Sequence, residues 1–221
     1  MLLFKSTICR KIVMAVTGQI LTVFILFHVS GNSTIFFHKL NAYVAALHTL
    51  PVFVWGGRLV LVASFTVHIL YGIILKIENV RAKPLPYAVR NYREATFSGR
   101  NQIWTGVVIA VFLAYHLLQF TFKVTNPAIS ADNHADALGR PDVLMMVVRS
   151  FQMIGVSGVY LMSLAALGMH LLHGIKSSFQ TWGAANDKTL PLLEKTGAFA
   201  SIILFLWYAA IPLSIVAGFL K

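Results

Sequence analysis

The sequence predicts an all-α integral membrane protein: a single domain over residues 1–221, folded as a bundle of five transmembrane helices with the N-terminus in the cytoplasm. Three observations predict it. Only 11% of the 221 residues are charged, 57% are hydrophobic and the mean hydropathy is +0.75. A soluble domain carries roughly 25% charged residues, so this chain has too few to cover a water-facing surface. Several runs of about 20 residues hold almost no charge, enough to cross a hydrocarbon core of about 30 Å. These runs do not alternate apolar with polar, which excludes a β-barrel built of ~10-residue alternating strands.

The first span is placed at about 12–36. It follows Arg10 and Lys11, as a signal peptide would, but it is too long for a signal core. It ends in "HVSGNSTIFFHK", with no small-x-small cleavage site, so it is read as permanent. A short joint, "HKLNAYVAALHTLP", leads to the second span at 52–75. The basic loop at 76–101 contains "AKPLPYAVRNY", whose two prolines and lack of apolar periodicity indicate an ordered cap or partner-contact loop. The third span covers 102–122, a polar loop covers 123–143, and the fourth span covers 144–175. "GIKSSFQTWGAANDKTLP" then connects to the fifth span at 196–219. No low-complexity segment interrupts the chain, and repetition is confined to the spans.

With five spans, the N-terminal segment and the second and fourth loops share one side of the membrane. Lys5, Arg10, Lys11, Lys76, Arg81, Lys83, Arg90, Arg93, Arg100, Lys176, Lys188 and Lys195 lie there, twelve of the eighteen basic residues. The other side carries Asp132, Asp136 and Asp142. The positive-inside rule assigns the basic side to the cytoplasm. A net charge of +11 is of the kind nucleic-acid binders carry, but its clustering at one membrane edge points instead to topology, lipid headgroups and a soluble partner. No presequence rich in Arg and Ser is seen, so the expected location is a prokaryotic plasma membrane, crossed several times. Cys9 is the single cysteine and no C-x-x-C-H occurs. An internal disulfide and a c-type haem are both excluded.

Four of the eight histidines fall inside four different spans: His28, His68, His116 and His170. Helical rise gives their depths. His68 and His170 precede Lys76 and Lys176, about 12 Å and 9 Å from the cytoplasmic edge. His116 precedes Lys123, about 10 Å from the outer edge, and His28 lies about 26 Å in from Lys11, so it too is near the outer side. Two pairs result, one inner and one outer. Ionisable residues at such depth are costly and mark function. One alone would be read as an interhelical hydrogen bond; four at two matched depths point to metal ligation by neutral imidazole. No acid precedes Glu78, so a metal with two histidines finds no further protein ligand nearby. A porphyrin supplies the remaining four positions and is itself largely apolar, so two haem b groups fit where zinc does not. "HILYG" at 68–72 and "HLLHG" at 170–174 place glycine at i+4 from histidine, and "HVSG" at 28–31 places it at i+3, where a bare backbone admits a flat macrocycle. "HLLQ" at 116–119 lacks this device. His38, His48 and His134 belong to outward loops, and His173, one turn beyond His170, falls outside the ligand pattern.

Nearly the whole chain resembles one family, through "STICRKIVMAVTGQILTVFILFHVSGN", "HTLPVFVWGGRLVLVASFTVHILYG", "SGRNQIWTGVVIAVFLAYH" and "MHLLHGIKSSFQTWG". It is similar to the di-haem cytochrome b membrane anchors of succinate:quinone oxidoreductases, the succinate dehydrogenases and fumarate reductases. The resemblance implies that His28 and His116 bind the outer haem iron and His68 and His170 the inner. It implies a flavoprotein subunit and an iron–sulfur subunit as cytoplasmic partners, and menaquinone or ubiquinone as substrate of a quinone-reacting subunit. Dicarboxylate catalysis in the tricarboxylic acid cycle would lie on the other subunits. Asn32, His38 and His48 stand where an outer quinone would be met. One departure is plain. Some fumarate reductases of the family carry a carboxylate after the first span and another two residues before the fourth histidine; here the first is missing and the second position is Gly168.

The alternative is a di-haem cytochrome b subunit of a membrane formate dehydrogenase or hydrogenase, which usually has four core spans and an outward partner. The larger basic face on the cytoplasmic side favours the succinate family. A non-redox scaffold or transporter subunit is a third class, separated by the absence of a Soret band. If the orientation holds, an iron–sulfur partner should crosslink to the N-terminal segment and to the stretch from Arg81 to Arg100. Crosslinks to 123–143 instead would invert the topology.

Overall fold

A computed structural model describes residues 6–82 and 96–221. Five helices in it are long and apolar enough to cross a membrane. The spanning helices are α1 (Thr7–Asn32), α3 (Pro51–Arg81), α5 (Gln102–His116), α7 (Ile154–Thr181) and α8 (Leu190–Val216). Three shorter helices join them: α2 (Leu40–His48), α4 (Phe97–Arg100) and α6 (Val143–Gln152). No strand occurs among the described residues. Half of the basic loop, residues 83–95 with Lys83, Arg90 and Arg93, lies outside them, as does Lys5.

The boundaries follow local chemistry. Helix α3 opens on Pro51, whose missing N–H is not needed in a first turn, and runs past the predicted end to Arg81. That extension brings Glu78 onto Arg10 of α1 in an ion pair, which fixes the antiparallel register of the two helices. At the same end Lys176 of α7 pairs with Glu194 of α8. Helix α5 continues as a π-helical turn, Leu117–Thr121, directly after His116. Helix α8 packs chiefly on α7, and Tyr208 and Trp207 donate to Ile25 O and Ser33 Oγ at 2.6 and 2.7 Å, tying it to α1. Ser64 is the one buried residue of α3, which presents most of its surface to lipid.

The fourth span departs from expectation. It is not one run over 144–175 but two helices broken at Met153, whose backbone is extended at φ −76°, ψ 106°. Two groups stabilise the break. Asp142 caps α6 by accepting from Met145 N, and Ser157 Oγ donates to Phe151 O at 2.6 Å, satisfying a carbonyl the break leaves without a helical partner. Helix α6 is about 15 Å long, too short to cross. It buries Met146, Val147, Val148 and Phe151 and turns Arg149 outward. Arg149 therefore sits at the membrane edge, not within a span.

The main core lies at the end away from the Arg10–Glu78 and Lys176–Glu194 ion pairs, where α2 and α6 close over the bundle: Ile35, Leu40, Val147, Phe151, Tyr160, Ile211 and Ile215 pack together. Asn41 locks this cap. Its Nδ2 donates to Asp142 Oδ1 at 3.0 Å, and its Oδ1 accepts from Leu144 N at 2.8 Å. The adjoining turn is held by Arg140, whose Nε donates to Asp136 Oδ2 at 2.8 Å. That hydrogen bond holds the Asp136 carboxyl down at about 2, well below its ordinary 3.8. Its contribution is therefore present above the ordinary value and lost only as pH falls through about 2. Asn41→Ala, which leaves the half-buried Leu144 N–H without its acceptor and takes one donor from Asp142, should cost about 1–3 kcal/mol. Detergent unfolding monitored by circular dichroism checks it; an unchanged midpoint would show the cap to be held by apolar packing alone.

Candidate functional site

Histidine side chains inside an apolar bundle need partners, and the helices supply them at two levels. At the level nearer the Arg10–Glu78 ion pair, named inner after the expected orientation, His68 of α3 and His170 of α7 face each other across the bundle, ring centres 6.3 Å apart and planes at 63°. At the outer level His28 of α1 and His116 of α5 lie 5.8 Å apart at 83°. The structure thus brings together the same pairs that depth alone grouped. Two imidazoles on opposite faces of one metal stand about 6 Å apart between ring centres, given metal–nitrogen bonds of about 2 Å. Both separations match.

The ring nitrogens are not equivalent. Thr17 Oγ1 lies 3.0 Å from His68 Nδ1 and 2.9 Å from Val13 O. A hydroxyl has one proton; where it goes to the helix carbonyl, the oxygen accepts from Nδ1–H. Thr105 repeats this at His170, 3.1 Å from Nδ1, with its own hydroxyl 3.0 Å from Gln102 O. At the outer level Tyr160 donates to Gln119 Oε1 at 2.8 Å and accepts from His116 Nδ1 at 3.1 Å. In three of the four imidazoles Nδ1 thus has an oxygen partner able to accept its proton, the arrangement that suits a free lone pair on Nε2. His28 is held instead by rings: it stacks on Phe24 at 5.3 Å and tilts against Tyr208 at 6.3 Å.

Glycines shape these seats, though not those the sequence singled out. A Cβ on Gly18 would stand 3.2 Å from His68 Cε1, and one on Gly106 would stand 3.5 Å from His170 Cε1. The expected i+4 glycines lie elsewhere, Gly72 towards Met14 and Gly174 towards Gln102. The space beside Gly31 is filled by the Tyr43 ring and hydroxyl, which an added Cβ would overlap. The π-helical turn after His116 carries buried Gln119 to the Tyr160 hydroxyl, a use of π geometry common at functional sites.

Other candidates are placed as follows. Asn32 Nδ2 donates to His28 O at 2.8 Å, His38 ends a 3-10 turn in the left-handed conformation at φ 53°, and His48 closes α2. None of these side chains joins the two pairs. His173 packs against Gly99, where a Cβ would approach its Nδ1 to 2.9 Å. Gln102 Nε2 donates to His170 O at 3.2 Å, while its Oε1 is buried without a hydrogen-bond partner.

The residues present fit haem. Among the described residues no group of three or more His, Cys, Asp or Glu converges, so an ion requiring three protein ligands finds none there. Two neutral imidazoles with free Nε2 suit a metal whose other four positions come from a macrocycle. Sequence reasoning missed Thr17, Thr105, Tyr160 and Gln119. The dipeptide Thr-Gly, at 17–18 and at 105–106, was the available signal. Comparison of the chain with protein-family models, curated proteins and solved structures returned no match.

Proposed function

We propose that this chain is the membrane anchor and quinone-reacting subunit of a succinate dehydrogenase or fumarate reductase complex, carrying electrons through two b haems between a cytoplasmic iron–sulfur subunit and membrane quinone. The observation that carries the haem reading is the twofold occurrence of facing imidazoles at ligation distance, three of them with Nδ1 occupied. His68 and His170 would hold the inner haem iron and His28 and His116 the outer. Bound there, haem supplies a one-electron Fe(III)/Fe(II) couple in an apolar medium.

The chain's own residues do the rest. The hydroxyls keep a proton on Nδ1 and orient each ring. Phe24, Phe112 and Phe120 pack around the outer pair, excluding water from it. Arg10, Lys176 and Arg100 mark the basic end, which in this reading faces the cytoplasm, the iron–sulfur subunit and the flavoprotein beyond it. The choice of the succinate family rests on the sequence resemblance and on that basic face; a prokaryotic plasma membrane is the matching location.

A pyridine haemochrome assay on the purified complex should return two b haems per chain, and a flavoprotein and an iron–sulfur protein should copurify. His68→Ala should remove the inner haem and leave the outer spectrally present, while His116→Ala does the reverse, because each iron depends on imidazoles from two helices. One haem or none in the wild type, or loss of the same haem in His68→Ala and His28→Ala, would overturn the assignment.

A further inference from the structure

The two helix pairs α1–α3 and α5–α7 carry the same chemistry at the same spacing. On α1 Thr17-Gly18 precedes His28, and on α5 Thr105-Gly106 precedes His116; eleven residues separate threonine from histidine in both (28 − 17 and 116 − 105). Eleven residues are three turns, so each threonine shares a helix face with its histidine about 16 Å away. A helix that offers an imidazole at the outer level thus offers a hydroxyl and a bare backbone at the inner level. Its partner helix offers the other imidazole: α3 and α7 carry His68 and His170, each opening a His-x-Leu-x-Gly stretch. The match extends to atoms. Both hydroxyls sit about equally far from Nδ1, at 3.0 and 3.1 Å, both lie within reach of helix carbonyls three and four residues back, and both glycines leave room for Cε1.

We infer that Thr17 and Thr105 are a matched pair of positioning residues that set the donor strength of the two inner imidazoles, and with it the inner haem's reduction potential. This rests on the haem ligation proposed above. An acceptor drawing on Nδ1–H makes Nε2 a better donor to ferric iron and lowers the potential. A hydroxyl that gives its own proton to a carbonyl is polarised into a better acceptor. The outer level has only one such group, Tyr160 backed by Gln119, because His28 is held by ring stacking. The inner site therefore carries two hydroxyl acceptors against one at the outer.

The test is a spectroscopic redox titration of the intact complex, resolving the two haems, with electron paramagnetic resonance of the oxidised form. Thr17→Val and Thr105→Val keep the volume and remove the hydroxyl. Each should raise the inner midpoint by up to about tenfold in the oxidised-to-reduced ratio, about 59 mV for one electron, and leave the outer midpoint in place. Thr17→Ser, which keeps the hydroxyl, should titrate like the wild type. Unchanged inner potentials in both valine variants and in the double variant, with haem content full, would overturn the inference. If a valine variant loses the inner haem, its recovery in Thr17→Ser supports the hydroxyl's role, and its loss there too overturns it in favour of methyl packing. A wild-type complex without haem instead overturns the ligation reading itself, and is seen before any variant is made.

Discussion

An imidazole within a hydrocarbon layer has two ring nitrogens and no water, so its polar needs must be met by groups from other helices. That constraint organises this bundle. Thr17 of α1 meets His68 of α3, Thr105 of α5 meets His170 of α7, and Tyr160 of α7 meets His116 of α5. Gln102 adds a bond from α5 to the His170 carbonyl. The interhelical polar contacts of the spans thus gather at the two histidine levels, and much of the remaining surface, on α3 above all, is left to lipid and van der Waals packing. The ends are treated differently: ion pairs close the basic end, and an amide-centred network under α2 and α6 closes the other.

Much of this was legible in the chain. The five spans follow from charge depletion and run length, because hydrocarbon tolerates few alternatives to a helix. The pairing of His28 with His116 and of His68 with His170 follows from depth, because helical rise converts sequence distance to height and flanking lysines mark the edges. Azimuth was harder. Gly72 and Gly174 share a face with their histidines on the same helix, but the ring is seated by Gly18 or Gly106 of a neighbour. Such a role depends on which helices pack together, which no single-helix pattern contains.

The break at Met153 was missed for a different reason. The run 144–175 is apolar enough to read as one span, yet at 1.5 Å per residue it is longer than a ~30 Å layer needs. Arg149 and Gln152 near its start were the signal that its first turns lie at the surface. The hydroxyl partners escaped notice because threonine in an apolar helix usually bonds its own i−4 carbonyl; Thr17 and Thr105 do that too, and serve a second helix as well.

The eleven-residue interval between Thr17 and His28 has a consequence for how such a chain can vary. Each residue advances a helix by 100° and 1.5 Å. Between the two positions only Gly18, which seats the His68 ring, and Phe24, which stacks on His28, are tied to the histidines by their own side-chain size. One residue inserted or deleted there would swing His28 a quarter-turn or more off the bundle axis while Thr17 stayed in place. Length in these two segments is therefore held far more tightly than composition, and change that respects the site must come by exchange of letters and not by slippage of the frame.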